Sequence, residues 1–253
     1  MIIQNNQFQG AKFFNSSNSF VAGLNSFSQD IREYFSLRET NRLLAEENAT
    51  LRNKLEQRTQ ALNVVKGNQI VDSAIIKRFE FVSAKVVNNS VHRFTNFLTI
   101  DKGEAEGIKP GMAVISAAGI VGKVKTVSKH YGVVTSLLNK DVMVSALLKR
   151  SGHYGTIQWD GRDPDVVQFN FIPRHVKPMV GDTIVTSGFN AVFPRDLMVG
   201  VIIKTELSEE ALFHNITVHV SQDFRRISYV AVVKSHLKHE QDSLEFTIEK
   251  LSQ

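Results

Sequence analysis

IKPGMAVI, residues 108–115, returns in looser form as VKPMVGDTIV, residues 176–185. Each copy is a turn built on Lys-Pro that feeds a short β-branched run. Two more echoes follow in the same order. Gly119-Ile120-Val121-Gly122-Lys123-Val124 is answered by Leu197-Met198-Val199-Gly200-Val201-Ile202, and Val133-Val134-Thr135 by Ile216-Thr217-Val218. A repeat that keeps its order while its spacing drifts is the mark of a duplicated structural unit.

The surrounding texture fits β structure. Phe97-Leu98-Thr99-Ile100, Ala113-Val114-Ile115 and Val142-Met143-Val144 have strand length and are separated by glycine-rich turns. From Phe79 on, no long helical pattern interrupts them, which argues against a parallel α/β sheet. The reading is a mainly β chain of two small six-stranded-type β-barrels, the first over residues 79–155 and the second over 156–236. Exchange of strands between them is allowed for, with a junction between Lys149 and Pro178 and a polar C-terminal tail over 237–253. Gly103, Gly107 and Gly111 sit where tight turns need them; no phosphate-binding glycine pattern follows a strand and opens a helix.

Ahead of the β region lies NRLLAEENATLRNKLEQRTQAL, residues 41–62. With Leu37, Leu44 and Leu51 at heptad position d, positions a are Asn41, Asn48, Leu55 and Leu62, and Val65 is a later d. Arg58 interrupts the seam at d. A stripe confined to a and d is narrower than the face of a helix that packs on its own core. Asparagine at a fixes register and favours two strands, so the seam predicts a parallel homodimer through these eight positions. The helix or coiled coil is placed at 20–67, stopped by Gly67-Asn68. Residues 1–19, rich in Asn, Gln and Ser, read as a tether beside something and not as a folded element.

The chain has 253 residues, 42% of them hydrophobic, a net charge of +5 and no cysteine. Disulfide scaffolds, thiolate chemistry and the usual structural zinc sites are therefore excluded. The Lys and Arg residues are scattered singly or in pairs, not clustered with aromatics, so no nucleic-acid partner is expected. No window approaches the roughly 20 apolar residues of a membrane span.

Two barrels invite comparison with trypsin-like proteases. Ser187 would be the nucleophile, with His92 and Asp141 in a permissive order. Val185-Thr186-Ser187-Gly188-Phe189 lacks the glycine before serine that such a loop needs, and no catalytic residue, cofactor or metal is expected. His236 and His239 have helical ligand spacing but no third ligand nearby, and a solvated tail is the better reading. His214 and His219 read as surface positions, and Trp159 as a barrel plug in preference to an exposed contact.

The order of parts, a coiled-coil segment followed by Gly107 to Ile115, Gly119 to Val124 and Gly181-Asp182-Thr183-Ile184-Val185-Thr186-Ser187-Gly188, resembles the rod shape-determining protein MreC family of bacteria. The likeness runs from about Phe20 to about Val233. It implies a non-enzymatic scaffold on the periplasmic side of the inner membrane, maintaining rod shape by organising peptidoglycan synthases. The partners it implies are a class B penicillin-binding transpeptidase, MreD and other MreB-associated elongation proteins. It also implies an N-terminal membrane anchor, expected to lie ahead of residues 1–19, which then read as a juxtamembrane tether. Gly107, Met112, Gly119, Val121, Gly122 and Lys123 are the candidate positions for partner binding or assembly, on a barrel face or groove, where exposed strand edges can accept a partner segment and glycine turns permit close approach. A thin helix ahead of two barrels then acts as a spacer; at about 1.5 Å per residue, Phe20 to Val65 would reach about 65 to 70 Å. The alternative from another class is a periplasmic adaptor of an export pump, which also joins coiled coil to β-barrels but through a helical hairpin.

Overall fold

The computed structural model describes residues 37–58, 78–189 and 192–251. The chain divides into one compact unit ending at Leu44 and a second starting at Ala45 that holds all of the β structure. Residues 37–58 are helical and form α1. Leu62, Val65, the stop at Gly67-Asn68 and residues 1–19 lie outside the described residues. Twelve strands follow: β1 (Phe79–Asn89), β2 (Thr95–Ile100), β3 (Ala113–Ile115), β4 (Ile120–Val127), β5 (Gly132–Asn139), β6 (Met143–Leu148), β7 (Tyr154–Gln158), β8 (Val166–Pro173), β9 (Thr183–Thr186), β10 (Met198–Glu206), β11 (Phe213–Val220) and β12 (Tyr229–Ser235). The segment read as a polar tail is helical over α2 (Lys238–Leu251).

The strands close into two barrels, in the cyclic orders β1-β12-β3-β4-β5-β2 and β10-β11-β8-β7-β6-β9. All pairings are antiparallel. Alternation along the strands sends one face inward. On β11, Ile216, Val218 and Val220 are buried while Asn215 and His219 are exposed, the period of two that a half-buried strand requires. The second barrel is filled by Ile157, Phe169, Ile172, Ile184, Ile202, Ile216 and Val218, the first by Leu98, Ile100, Val114, Val134 and Val232 among others. Trp159 is buried, and its indole Nε1 donates to the Asp163 carbonyl at 2.7 Å.

The two barrels have the same wiring. Laid over one another, β1 matches β7, β2 matches β8, β3 matches β9, β4 matches β10 and β5 matches β11, with identical neighbours in each case. The echoed motifs occupy matched strands: IKPGMAVI runs into β3 and VKPMVGDTIV into β9. The sixth strand is where chain order and barrel membership part. β6 follows β5 directly yet lies between β7 and β9 of the second barrel, while β12, after β11, lies between β1 and β3 of the first. Each half of the chain therefore closes the other half's barrel.

This redraws the sequence-based boundaries. Residues 143–155 belong to the second barrel and 229–235 to the first. The crossings fall at 140–142 and 221–228, not between Lys149 and Pro178. Membership is decided by cross-strand hydrogen bonds between segments far apart in sequence. Val142-Met143-Val144 has the same local pattern whichever barrel it closes, so its destination is invisible to pattern reading.

The exchange yields a discriminating prediction. Removing residues 229–251 leaves all six strands of the second barrel present and takes one from the first. Amide hydrogen exchange on the shortened chain should lose protection over 79–139 and retain it over 143–220. Sequential barrels would give the reverse.

Candidate interaction surfaces

Within the second unit, α1 uses one face against the first barrel. β1 pairs with β12 along Phe79–Lys85 but with β2 only from Val86 onward, leaving one edge of its first half without a neighbouring strand. Asn53 fills that edge. Its Nδ2 donates to the Phe81 carbonyl at 3.0 Å, and the Phe81 amide donates to its Oδ1 at 2.8 Å, the two bonds a neighbouring strand would have supplied. Ala49 is buried at 6% exposure. Arg52 donates to the Ser116 carbonyl at 3.0 Å, with its guanidinium 5.9 Å from the centre of the Phe81 ring. Covering a strand edge with a helix also removes a site for unwanted pairing.

In the heptad frame, Ala49 and Asn53 are positions b and f, opposite the a and d seam. In this unit the described seam residues point elsewhere: Leu51 is 53% exposed and Leu55 65%, and Asn48 is exposed. In the first unit Leu37, Asn41 and Leu44 are also exposed. None of these described leucines is buried.

The six candidate positions around β3 and β4 have mostly internal roles. Gly107 has φ 73° and caps a 3-10 turn at Glu104–Glu106. Met112 is half-buried against the core, and Val121 is fully buried. Gly119 lies where the barrels meet: a Cβ there would stand 2.2 Å from the Met198 carbonyl oxygen and 2.8 Å from Ser221 Oγ. Gly122 and its echo Gly200 are matched. A Cβ on Gly122 would lie 2.0 Å from the Thr135 carbonyl oxygen, and one on Gly200 2.1 Å from that of His219. At both places the backbones of matched strands approach too closely for a side chain.

Lys123 alone of the six presents an exposed side chain. It lines a groove between the barrels of about 480 Å³, with Lys125, Met143, Phe189, Val192 and Phe193. Met143 and Phe189 are exposed, and the Phe189 ring stacks on Tyr154 at 4.6 Å. Sequence reasoning did not single out Met143 or Phe189; Met143 comes beside Lys123 where β6 crosses between the barrels, and Phe189 follows β9. Closure leaves few edge groups unpaired among the described strands, so of the expected surfaces the face and the groove are the ones present.

The seam between the barrels is polar. Ser116, after β3, donates to the Gln222 side-chain carbonyl on the return crossing, and Arg225 pairs with Asp165 at 2.6 Å. The exchanged strand β6 is clamped at its end: Arg150 makes a two-pronged bond to Asp182 at 2.7 and 2.8 Å and a third to the Lys177 carbonyl. The Arg150 bond holds the Asp182 carboxyl below the ordinary aspartate range, against the opposing effect of burial, and the Met179 amide adds to it.

The protease residues are not assembled as a triad. The Ser187 hydroxyl bonds Ser145 at 2.9 Å, and His92 faces a separate hollow with Asn89, Arg93 and Arg225. His219 is exposed, whereas His214 is half-buried, with Nε2 2.8 Å from the Val176 carbonyl oxygen. His236 is 3.7 Å from Glu80.

Comparison with known proteins decides the family. Residues 86–234 match the family described as rod shape-determining protein MreC, barrel core. The chain belongs to the MreC family. The matched MreC core starts in β1 and ends in β12, so it takes in both exchanged strands as one unit. The cell shape-determining protein MreC of Listeria monocytogenes is 26% identical over 220 residues, covering 85% of this chain and 74% of that protein. The MreC of Caulobacter vibrioides is 32% identical over 179 residues, 69% of this chain and 50% of that one, so the chain spans about half of that relative's length. A solved structure of Listeria MreC superposes with a TM-score of 0.61 at 27% identity, over 78% of this chain and 94% of that chain.

Two outcomes follow for the MreC barrels. Gly122→Ala should destabilise by about 3 kcal/mol or more, because the obstacle is backbone and cannot rotate away, and Gly200→Ala should do the same; Gly152→Ala, where nothing lies within 4 Å, serves as the milder comparison, carrying only the cost of its φ of 73°. Thermal unfolding measures all three. For Asp182, a folded pKa below the unfolded value means the clamp's contribution is complete above the unfolded value near 4 and is lost as pH falls through the folded value. Asp182→Asn should lower Tm by a few degrees at neutral pH, and the gap to the parent should close under strongly acid conditions.

Proposed function

We propose that this chain is a non-enzymatic periplasmic scaffold of the bacterial cell-elongation machinery, helping to maintain rod shape by organising peptidoglycan synthases. The observation that carries the reading is the division of labour on α1: Ala49, Arg52 and Asn53 engage the chain's own barrel while Leu51, on the opposite side, is exposed. Such a helix suits a parallel homodimer through Leu37, Asn41, Leu44, Asn48, Leu51, Leu55, Leu62 and Val65, holding two pairs of barrels off the inner membrane. Burying one leucine across such a seam contributes about 1.5 to 3 kcal/mol. Family membership supports this reading over the export-pump adaptor and the degenerate protease.

The partners in this reading are a class B penicillin-binding transpeptidase, MreD and other MreB-associated proteins, with anchorage to the inner membrane through an N-terminal segment. The groove beside Lys123 is the docking surface for a protein partner. Its exposed Met143 and Phe189 supply apolar area, and Lys123 with Lys125 steers an acidic partner. Gly107, Met112, Gly119, Val121 and Gly122 then act by shaping the barrel that presents Lys123.

Sedimentation tests the seam. Leu44→Glu with Leu51→Glu should convert dimer to monomer while leaving barrel unfolding unchanged; an unaltered sedimentation coefficient would count against it. For the groove, Lys123→Glu with Phe189→Ala should reduce capture of the purified transpeptidase at least tenfold without changing the dimer.

A further inference from the structure

The outer surface of the second barrel carries an arrangement that scaffolding does not use. Although 22% of the chain's residues are Lys, Arg, Asp or Glu, none occurs in β7, β8 or β11. These strands are adjacent, in the order β7-β8-β11. Between the exposed Tyr154 and Phe213 at one side and His219 at the far end of β11, their outward positions hold half-buried amides and hydroxyls. Gln158 stands directly opposite Gln168, and Gln168 opposite Thr217, with Asn170 two residues along β8 and opposite Thr156. A solvated sheet face is ordinarily studded with charge. This one has groups that both donate and accept hydrogen bonds and that impose no net field.

Two features show that the face is shaped. A hollow of about 240 Å³ opens on it, lined by Gln158, Gln168 and Asn170, with Trp159 at its floor and Lys140 and Asp160 at its rim. Lys140 is kept there: its carbonyl accepts from Gln158 Nε2 at 2.8 Å, and its ammonium lies 4.5 Å from the centre of the Phe94 ring. At the other end of the face, β8 departs from regular pairing between its partners His214 and Ile216 on β11. Phe171 there adopts φ 67°, a conformation unfavourable for a bulky side chain. The irregularity breaks the alternation, so that Phe171 follows Asn170 without turning inward and stands 58% exposed. Its ring meets Phe213, also exposed, edge to face at 5.9 Å. Strain that serves to expose an aromatic ring beside a polar strip is the kind retained for binding.

We propose that the β7-β8-β11 face is a binding site for a neutral glycan chain bearing hydroxyl and acetamido groups. Gln158, Gln168, Asn170 and Thr217 exchange hydrogen bonds with those groups, the hollow takes one substituent, and the Phe171-Phe213 pair packs against the C–H side of a neighbouring ring. An uncharged polar ligand fits because the three strands carry no lysine, arginine or carboxylate and the hollow has one side chain of each sign, Lys140 and Asp160, and an extended one fits because the strip runs from the hollow to the aromatic pair. A protein surface would meet here a row of solvated amides that it must pair one by one. The inference does not depend on the scaffold reading: the hollow shares no lining residue with the Lys123 groove, which it adjoins where Gln158 pairs with Met143.

The test is titration of the full chain with the hexamer of N-acetylglucosamine, and separately with the glucose hexamer of the same linkage, followed by amide chemical shifts. Saturable shifts confined to β7, β8 and β11 are expected, with the acetamido sugar the tighter ligand. Gln168→Ala with Asn170→Ala should weaken binding at least tenfold, whereas Lys123→Ala should leave it unchanged. Phe171→Gly separates binding from folding, since it relieves the backbone conformation: Tm should hold or rise while affinity falls. Absence of saturable shifts with both sugars at millimolar concentration, or binding that survives the Gln168/Asn170 substitutions, would overturn the proposal. Shifts on this face produced by the purified transpeptidase and by neither sugar would likewise assign it to a protein and not to a glycan.

Discussion

Reciprocal closure of the two barrels is the constraint on which the rest depends. A six-stranded barrel missing one strand exposes two rows of unpaired amides and carbonyls and an open core, so neither half of this chain is complete alone. By lending β6 forward and taking back β12, the chain makes the closure of each barrel depend on a strand from the other half of the sequence. The crossings that carry these strands also create the surfaces between the barrels. The groove beside Lys123 exists because β6 departs from the first barrel there, and the polar contacts of Ser116 with Gln222 and Arg225 with Asp165 form where β12 returns.

Closure also governs how such a body can recognise partners. A barrel with its strands paired offers side chains more than backbone, and the uncovered edge along the first half of β1 is occupied by Asn53 of α1. The same helix therefore has two duties on two faces. One is settled inside the chain, by Ala49, Arg52 and Asn53. The other leaves Leu51 and Leu55 exposed, the side on which pairing with a second copy is proposed. Because both faces belong to one rigid rod over residues 45–58, the direction of the seam relative to the first barrel is fixed by the Asn53 bonds.

Much of the fold was legible. The order of turn and strand motifs revealed a duplication because matched strands face matched steric demands: Gly122 and Gly200 are both glycine for want of room beside a neighbouring carbonyl. The heptad at Leu37, Leu44 and Leu51 was legible because helical geometry maps sequence spacing directly onto a face. Less of the site could be read. Val121 and Met112 looked available to a partner and are spent on the core, since a glycine-flanked apolar run looks the same whether it faces inward or outward. Phe171 gave no signal, because its exposure comes from a break in alternation that only pairing with β11 produces.

The sequence by itself determined the periodicities: where strands alternate, where turns need glycine, and which side of α1 carries leucine. These are local properties, written within a few residues by backbone sterics and side-chain spacing. Tertiary structure alone decided which barrel each sixth strand would close, what covers the edge of β1, and which outward residues of β7, β8 and β11 come to lie side by side. Those outcomes rest on hydrogen bonds and packing between segments tens to more than a hundred residues apart, and no local pattern encodes the partner at the far end.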